Sequence, residues 1–283
     1  MSDHETTHVA RRMVETDLLL GLDQVVRRRG EAVLAAPVER DQSPEVPTEE
    51  PVVESVAPET PAPQVDVPPA PAPTGRLELA IDVGLLDGDS PAEKLAALSE
   101  RHAAACSHCT ASTDHMNLVF GEGDPQADLM FVGEAPGANE DRMGRPFVGQ
   151  AGGKLDEMIG AMGFKREDVY IANVLKSRPL NNRTPLRAEA ETCGAWLAAQ
   201  IAIIRPKAIV ALGGPAAKLL LDTEVGITRL RGMWGALEVD GREYPVMPTY
   251  HPAFVLRQYT QQVRREVWED LQQVMARLGA SAT

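Results

Sequence analysis

Four short apolar runs, separated by helix-like stretches, restrict the folds open to this chain: ADLMFVGE (127–134), DVYIANVLK (168–176), KAIVALG (207–213) and YPVMPTY (244–250). Each is the length of a strand and nearly continuous in its apolar side chains, as expected for strands buried on both faces. Helical patterns fall between them, over Gly153–Met162, Pro185–Ile204 and Pro215–Leu221, and VWEDLQQVMARL (267–278) closes the chain as an amphipathic helix. Pro185 suits a first helical position and Pro206 a terminator. Strands alternating with helices predict a three-layer α/β/α sandwich around a central four-stranded parallel sheet.

Three domain-level segments are expected. Residues 5–30 carry apolar positions at Val9, Met13, Leu18, Leu19, Leu22, Val25 and Val26, the spacing of an amphipathic helix ending at Gly30. Residues 1–30 are therefore read as a helix that docks on the core or on a protein partner, or has no specific role. Half of the 22 prolines lie between Pro37 and Pro73. Residues 31–90 are read as an acidic, Pro-rich disordered linker, because they hold too little apolar surface to offset the entropy of ordering. The catalytic domain is expected over 91–283, opening with a helix from Pro91 capped by Ser90.

The formal net charge is −13. Residues 1–75 alone contain 14 acidic and 6 basic side chains, so the remainder is nearer neutrality. A local basic face on the core is compatible with nucleic acid, since local field rather than net charge governs phosphate binding. The first 30 residues mix charges and lack a signal-like apolar run, and no segment reaches the ~20 apolar residues of a membrane helix. Three cysteines do not suggest a disulfide framework. A cytoplasmic monomer is expected.

Each apolar run ends in polar, specific chemistry. The first leads into GEAPGANEDRMGRPFVGQAGGK, a Gly-rich loop from Gly133 that carries Glu134, Glu140, Asp141 and Phe147. The second contains Asn173, followed by Lys176, Ser177 and Arg178. The third ends at Gly213–Gly214, and the fourth in TYHPAFVLR with His251 and Arg257. Ligands bind open α/β sheets at the carboxyl ends of strands. Glu, Asn and His gathered there suit a hydrolytic site that reads a small polar molecule.

In these segments the chain resembles the family 4 uracil-DNA glycosylases. GEAPGANED…GRPFVGQAGGKL is similar to their first signature and TYHPAFVLR to their second, with VYIANVLKSRPLNNRTP, LRGMWG and VWEDL in the same order. The similarity spans roughly residues 95–279. It implies a monofunctional DNA-repair hydrolase that flips deoxyuridine from single- or double-stranded DNA, cleaves its N-glycosidic bond and leaves an abasic site. An inactive DNA-binding or replication-associated module on the same fold is the alternative.

The resemblance assigns roles residue by residue. Phe147 stacks on uracil, Asn173 pairs with its O4 and N3–H, and His251 donates to O2 as the base leaves. Glu134 positions or activates the attacking water, a role that Glu140 or Asp141 could share. Gly133, Ala135 and Gly137 line the pocket. Val255 and Leu256 form an apolar wedge in the base stack. Arg178, Arg231 and Arg257, with Arg183 and Lys176, are candidate phosphate contacts. Taken singly, Phe147, Val255 and Leu256 also fit core positions, Asn173 a strand cap, His251 a surface or satisfied core histidine and each cation solvated charge.

Members of this family hold a [4Fe–4S] cluster on four thiolates. Cys106, Cys109 and Cys193 match three of these positions, but the fourth is Ser177 and no other cysteine exists. The options are a cluster with Ser177 or water at one iron, a three-iron cluster, zinc held by three cysteines with His102 or His108, or no metal.

Overall fold

The computed structural model describes residues 72–105 and 115–279. The expected helix over 1–30, the linker up to residue 71, and Cys106, His108 and Cys109 lie outside the described residues. The compact unit begins at Ala72. Among the described residues, seven strands form one sheet: β1 Thr74–Arg76, β2 Glu122–Gly123, β3 Leu129–Gly133, β4 Tyr170–Asn173, β5 Ala208–Leu212, β6 Gly235–Val239 and β7 Arg242–Thr249. Eight α-helices accompany them: α1 Pro91–Ala105, α2 Ala138–Met143, α3 Gln150–Ala161, α4 Arg187–Ile204, α5 Gly214–Leu220, α6 Ile227–Leu230, α7 Pro252–Arg257 and α8 Gln261–Leu278.

The sheet order is β1-β6-β7-β5-β3-β4-β2. Its middle, β7-β5-β3-β4, is parallel throughout and corresponds to the four apolar runs. Alternation along β3 explains the layers. Met130 and Val132 join one core with Leu98 of α1 and Leu197 and Ile201 of α4. Leu129 and Phe131 join the other, with Leu155 and Ile159 of α3 and Leu271 and Val274 of α8. A side-chain period of two sends each neighbour to the opposite face, so a covered strand must be apolar at every position.

Three strands extend the expected sheet. Strands β6 and β7 form an antiparallel hairpin, turned by Asp240 and Gly241 with φ of 53° and 68°. Two consecutive positive φ angles are the requirement of a type I′ turn. Strand β2 adds two residues antiparallel to β4.

Strand β1 corrects the proposed boundary at residue 90. It pairs in parallel with β6, Thr74 opposite Ala236, and the chain after it buries Leu77, Ile81 and Leu86. A short 3-10 turn over Val83–Leu85 follows, capped by Asp82. The catalytic unit therefore includes residues 72–90. The sequence TGR has no strand pattern of its own; pairing with β6 makes it a strand. Gly75 permits the close fit, because a Cβ there would lie 2.2 Å from the Leu220 carbonyl oxygen.

The helix ends follow ordinary chemistry. Ser90 accepts from the Glu93 amide at 3.2 Å while the Glu93 carboxylate receives the Ser90 amide at 2.9 Å, a capping box for α1. Arg205 takes a left-handed conformation after α4, directly before Pro206.

Candidate active site

A cleft of about 560 Å³ opens at the carboxyl ends of β3, β4, β5 and β7. Its lining includes Glu134, Ala135, Gly137, Phe147, Asn173, His251 and Arg257. Residues from four separate segments thus meet in one place, as the parallel topology requires.

Asn173 is the last residue of β4 and stands opposite Gly133 of β3. Its side chain is buried, and Oδ1 has no hydrogen-bond partner among the described residues. Such an atom calls for a ligand, because burying an acceptor unpaired costs roughly 1–3 kcal/mol. Gly133 explains how the amide reaches the cleft. A Cβ at that position would lie 2.4 Å from Asn173 Oδ1 and 2.6 Å from Phe147 Cζ. Glycine at residue 133 is therefore demanded by packing, not by its backbone angles.

Phe147 is buried with φ of 50°, a left-handed conformation that a bulky residue rarely holds. Strain of this kind concentrates at functional sites. Two features hold it. Helix α3 passes so close that a Cβ on Gly152 would sit 2.0 Å from the Phe147 carbonyl oxygen, and Glu140 Oε1 accepts from the amides of Val148 and Gly149 at 2.9 and 3.0 Å. The Phe147 ring stacks with His251 at 5.6 Å between centroids.

His251 caps α7, its Nδ1 accepting from the Ala253 amide at 3.1 Å. That bond puts the remaining proton on Nε2 and makes Nε2 a donor. Burial, helped by nearby Arg257, pushes its pKa down to about 4, with Glu140 opposing. The imidazole is thus neutral at physiological pH. Gly213, at φ of 90°, brings the β5–α5 turn within 3.0 Å of the His251 Cβ, measured from a would-be Cβ.

Glu134 is half-buried, and desolvation raises its carboxyl above the usual range. The neighbouring acids have other duties. Glu140 clamps the loop as described, and Asp141 Oδ1 accepts from the amides of Met116 and Asn117 at 2.8 and 3.1 Å. Of the three acids, Glu134 retains the carboxylate without such a structural task.

Several predicted contacts do not reach the cleft. Val255 is 3% exposed and packs in the core with Leu271, which removes it from the wedge, whereas Leu256 is 38% exposed. Arg231 is spent on Asp270, to which it donates through Nε and Nη2 at 3.1 and 2.6 Å, and also on the Glu266 carbonyl. Asp270 is fully buried and takes a further bond from Thr249 at 2.7 Å. Burial outweighs these partners and raises its carboxyl to about 6. The Arg231–Asp270 pair joins the end of α6 to α8, Thr249 ties the end of β7 to the same carboxylate, and Arg231 is a brace rather than a phosphate contact.

Lys176 is likewise no phosphate contact, being fully buried, with its pKa pushed down to about 7 by desolvation. Arg183 does line the cleft, with its guanidinium held by a two-point bond to Glu189 at 2.8 and 2.6 Å. Arg178, bonded to Asn182 at 2.7 Å, is partly exposed and Arg257 is exposed. These two remain on the open side.

The sequence reading did not single out Asn182, Tyr250 or Ile227, which also line the cleft. Asn181 and Asn182 both adopt left-handed angles, 54° and 53°. The Asn-Asn pair was the available signal, since Asn tolerates this region better than most residues.

At the proposed metal position Ser177 and Cys193 are both 1% exposed. Ser177 Oγ is buried without a hydrogen-bond partner among the described residues, and so is Nε2 of His102, whose ring lies 4.8 Å from that of Trp196. Among the described residues no three His, Cys, Asp or Glu side chains converge on one point, and Cys106 and Cys109 lie outside that set. An orphaned hydroxyl at the fourth position fits a metal-facing role better than a packing one.

A small polar cleft that gathers a buried side-chain amide, an aromatic ring and a neutral histidine at the carboxyl edge of a parallel sheet is the kind of site in which an α/β protein binds and acts on a small polar molecule. The chain belongs to the uracil DNA glycosylase superfamily, whose family model matches residues 120–272. It is 44% identical over 184 residues to the type-4 uracil-DNA glycosylase of Thermotoga maritima, covering 64% of this chain and 93% of that protein. Similarity to the type-4 uracil-DNA glycosylase of Archaeoglobus fulgidus is also 44%, over 62% of this chain and 88% of the relative. A type-5 uracil-DNA glycosylase of Pyrobaculum aerophilum is 33% identical over 46% of this chain and 63% of its own length. No helix among the described residues is long and apolar enough to cross a membrane.

Proposed function

We propose that this chain hydrolyses the N-glycosidic bond of deoxyuridine in DNA, releasing uracil and leaving an abasic site. The buried, unpartnered Oδ1 of Asn173 carries the reading. Uracil offers N3–H to that acceptor and O4 to the amide nitrogen. Cytosine presents the reverse pattern at both atoms, leaving buried groups unpaired, and such mismatches discriminate strongly. Phe147 supplies a face for the flipped base, with stacking worth ~1–3 kcal/mol.

Cleavage leaves negative charge on the departing base, and His251 Nε2–H donates to O2 as it develops. A neutral donor suffices because it acts in a water-poor site with its tautomer fixed. Glu134 faces the sugar side, where a desolvated carboxylate orients water and stabilises positive charge on the ring. Leu256 enters the stack left by the flipped nucleotide, while Arg178 and Arg257 contact phosphates. Residues 1–30 and 31–71 serve outside the chemistry, as a partner-docking segment and a linker. The protein acts as a monomer.

Uracil release from single- and double-stranded DNA is the direct test. Free uracil and alkali-labile abasic sites are expected from uracil-containing strands, and none from thymine-containing controls. DNA binding without release would favour an inactive DNA-binding module.

Cys106, Cys109 and Cys193 would hold an iron–sulfur cluster, with Ser177 or water at the fourth iron. Such a cluster supplies cross-linking, not a catalytic step: it would tie the end of α1 to the segment after β4 and to α4. Serine oxygen is a harder ligand than the thiolate iron–sulfur clusters prefer. Protein purified without oxygen is expected to contain iron and acid-labile sulfide and to absorb in the visible. Ser177→Cys should raise iron occupancy and slow bleaching in air. Colourless protein free of iron, or one atom of zinc per chain, would overturn the assignment.

A further inference from the structure

Beneath the pocket lies a buried charge with no part in the chemistry above. Lys176 follows Asn173 by three residues and is fully buried. Its Nζ donates to the Asn173 main-chain oxygen at 2.8 Å and to Gln200 Oε1 at 2.6 Å. Gln200, on α4 and also fully buried, uses its amide nitrogen on the Phe120 carbonyl at 2.9 Å and the Tyr170 hydroxyl at 3.2 Å. The Phe120 ring lies 5.6 Å from the ammonium.

A leucine or methionine would fill this volume without burying a charge, so packing alone does not account for a lysine here. What the ammonium adds is direction. Strand β4 ends at Asn173, where the parallel ladder stops, and the next amide bonds back to Gly133 at 2.9 Å. The Asn173 carbonyl sits at this exit and is gripped by Lys176, which Gln200 anchors to the helix behind. The same peptide carries the amide that stands over Gly133.

We propose that Lys176 is a positioning residue for uracil recognition: held by Gln200, its ammonium locks the Asn173 peptide so that the reading amide stands in one orientation. This rests on Asn173 reading the base. The lysine touches neither base nor DNA, so its loss should impair reading of uracil and spare the grip on the strand.

The test uses the full chain carrying Lys176→Met. Three quantities are measured: single-turnover uracil release, inhibition by free uracil, and affinity for DNA with an abasic site, which has no base to read. Release is expected to fall, and the uracil inhibition constant to rise, each by roughly ten- to a hundredfold, the range for a charge-assisted hydrogen bond. Abasic-site affinity should stay within about twofold, as for an interaction outside the DNA interface. Gln200→Met, which leaves the ammonium with the Asn173 carbonyl alone, should give the same split with a smaller loss.

Near-wild-type release in both variants overturns the inference, as does abasic-site affinity falling in parallel with uracil inhibition. Should Lys176→Met lack a cooperative melting transition, Gln200→Met decides by the same criteria. A wild type that releases no uracil removes the functional reading along with this one. A wild type that does, matched by both variants, removes only the inference about Lys176.

Discussion

Asn173→Asp is expected to reduce single-turnover uracil release by about a thousandfold while the protein keeps its melting transition. A buried polar site that loses a required donor discriminates by factors of this order. Aspartate preserves the size and the acceptor for N3–H, but it sets a carboxylate oxygen against O4 where the amide had donated. The fold should tolerate the change, because the Asn173 bonds that build the structure are main-chain. They comprise the ladder with β3 and the carbonyl held by Lys176. Melting temperature and release rate, measured on the same preparation, separate the two effects. Release within tenfold of wild type would remove Asn173 as the base reader.

His251→Ala is expected to cost about a hundred- to a thousandfold in the same assay, the usual loss of one donor aimed at a developing anion. DNA affinity should change little. The pH dependence offers a second check. With its pKa near 4, His251 is neutral across the physiological range, so its imidazole should contribute no titration of wild-type release around pH 6.5. The sign for stability follows. Between pH 6.5 and about 4 the unfolded chain binds a proton at this histidine that the folded chain refuses. The histidine therefore makes the wild type lose stability as pH falls through that window. Melting temperatures across the range should be less acid-sensitive in His251→Ala than in wild type. A titration near 6.5 in the release rate that disappears in His251→Ala would mean the imidazole works in its charged form.

The site was largely legible because its residues lie at strand ends, where a known topology turns order along the chain into proximity. Glu134, Asn173 and His251 each follow a continuous apolar run, and parallel pairing of β3, β4, β5 and β7 delivers them to one edge. Val255, Arg231 and Lys176 were misread for a common reason: a short stretch of sequence does not reveal which face of a helix is covered, nor which distant acid or amide awaits a cation. Arg231 meets an aspartate 39 residues away, and Lys176 a glutamine 24 residues away. Strand β1 escaped notice because its conformation comes from a partner more than 150 residues distant.

By itself the sequence determined the layer architecture, since period and apolar content are local properties that only one kind of sheet can satisfy. It also determined the chemistry of the cleft, because the amide, imidazole and carboxylate carry their donors and acceptors wherever the fold sets them. Only the tertiary structure decided which of these groups are held and which are open. Burial and long-range hydrogen bonds leave Asn173 Oδ1 without a partner among the described residues, hold the His251 imidazole neutral, and convert Arg231 and Lys176 from surface charge into internal braces. Those outcomes depend on desolvation and on partners brought from elsewhere in the chain, quantities that exist only once the chain has folded.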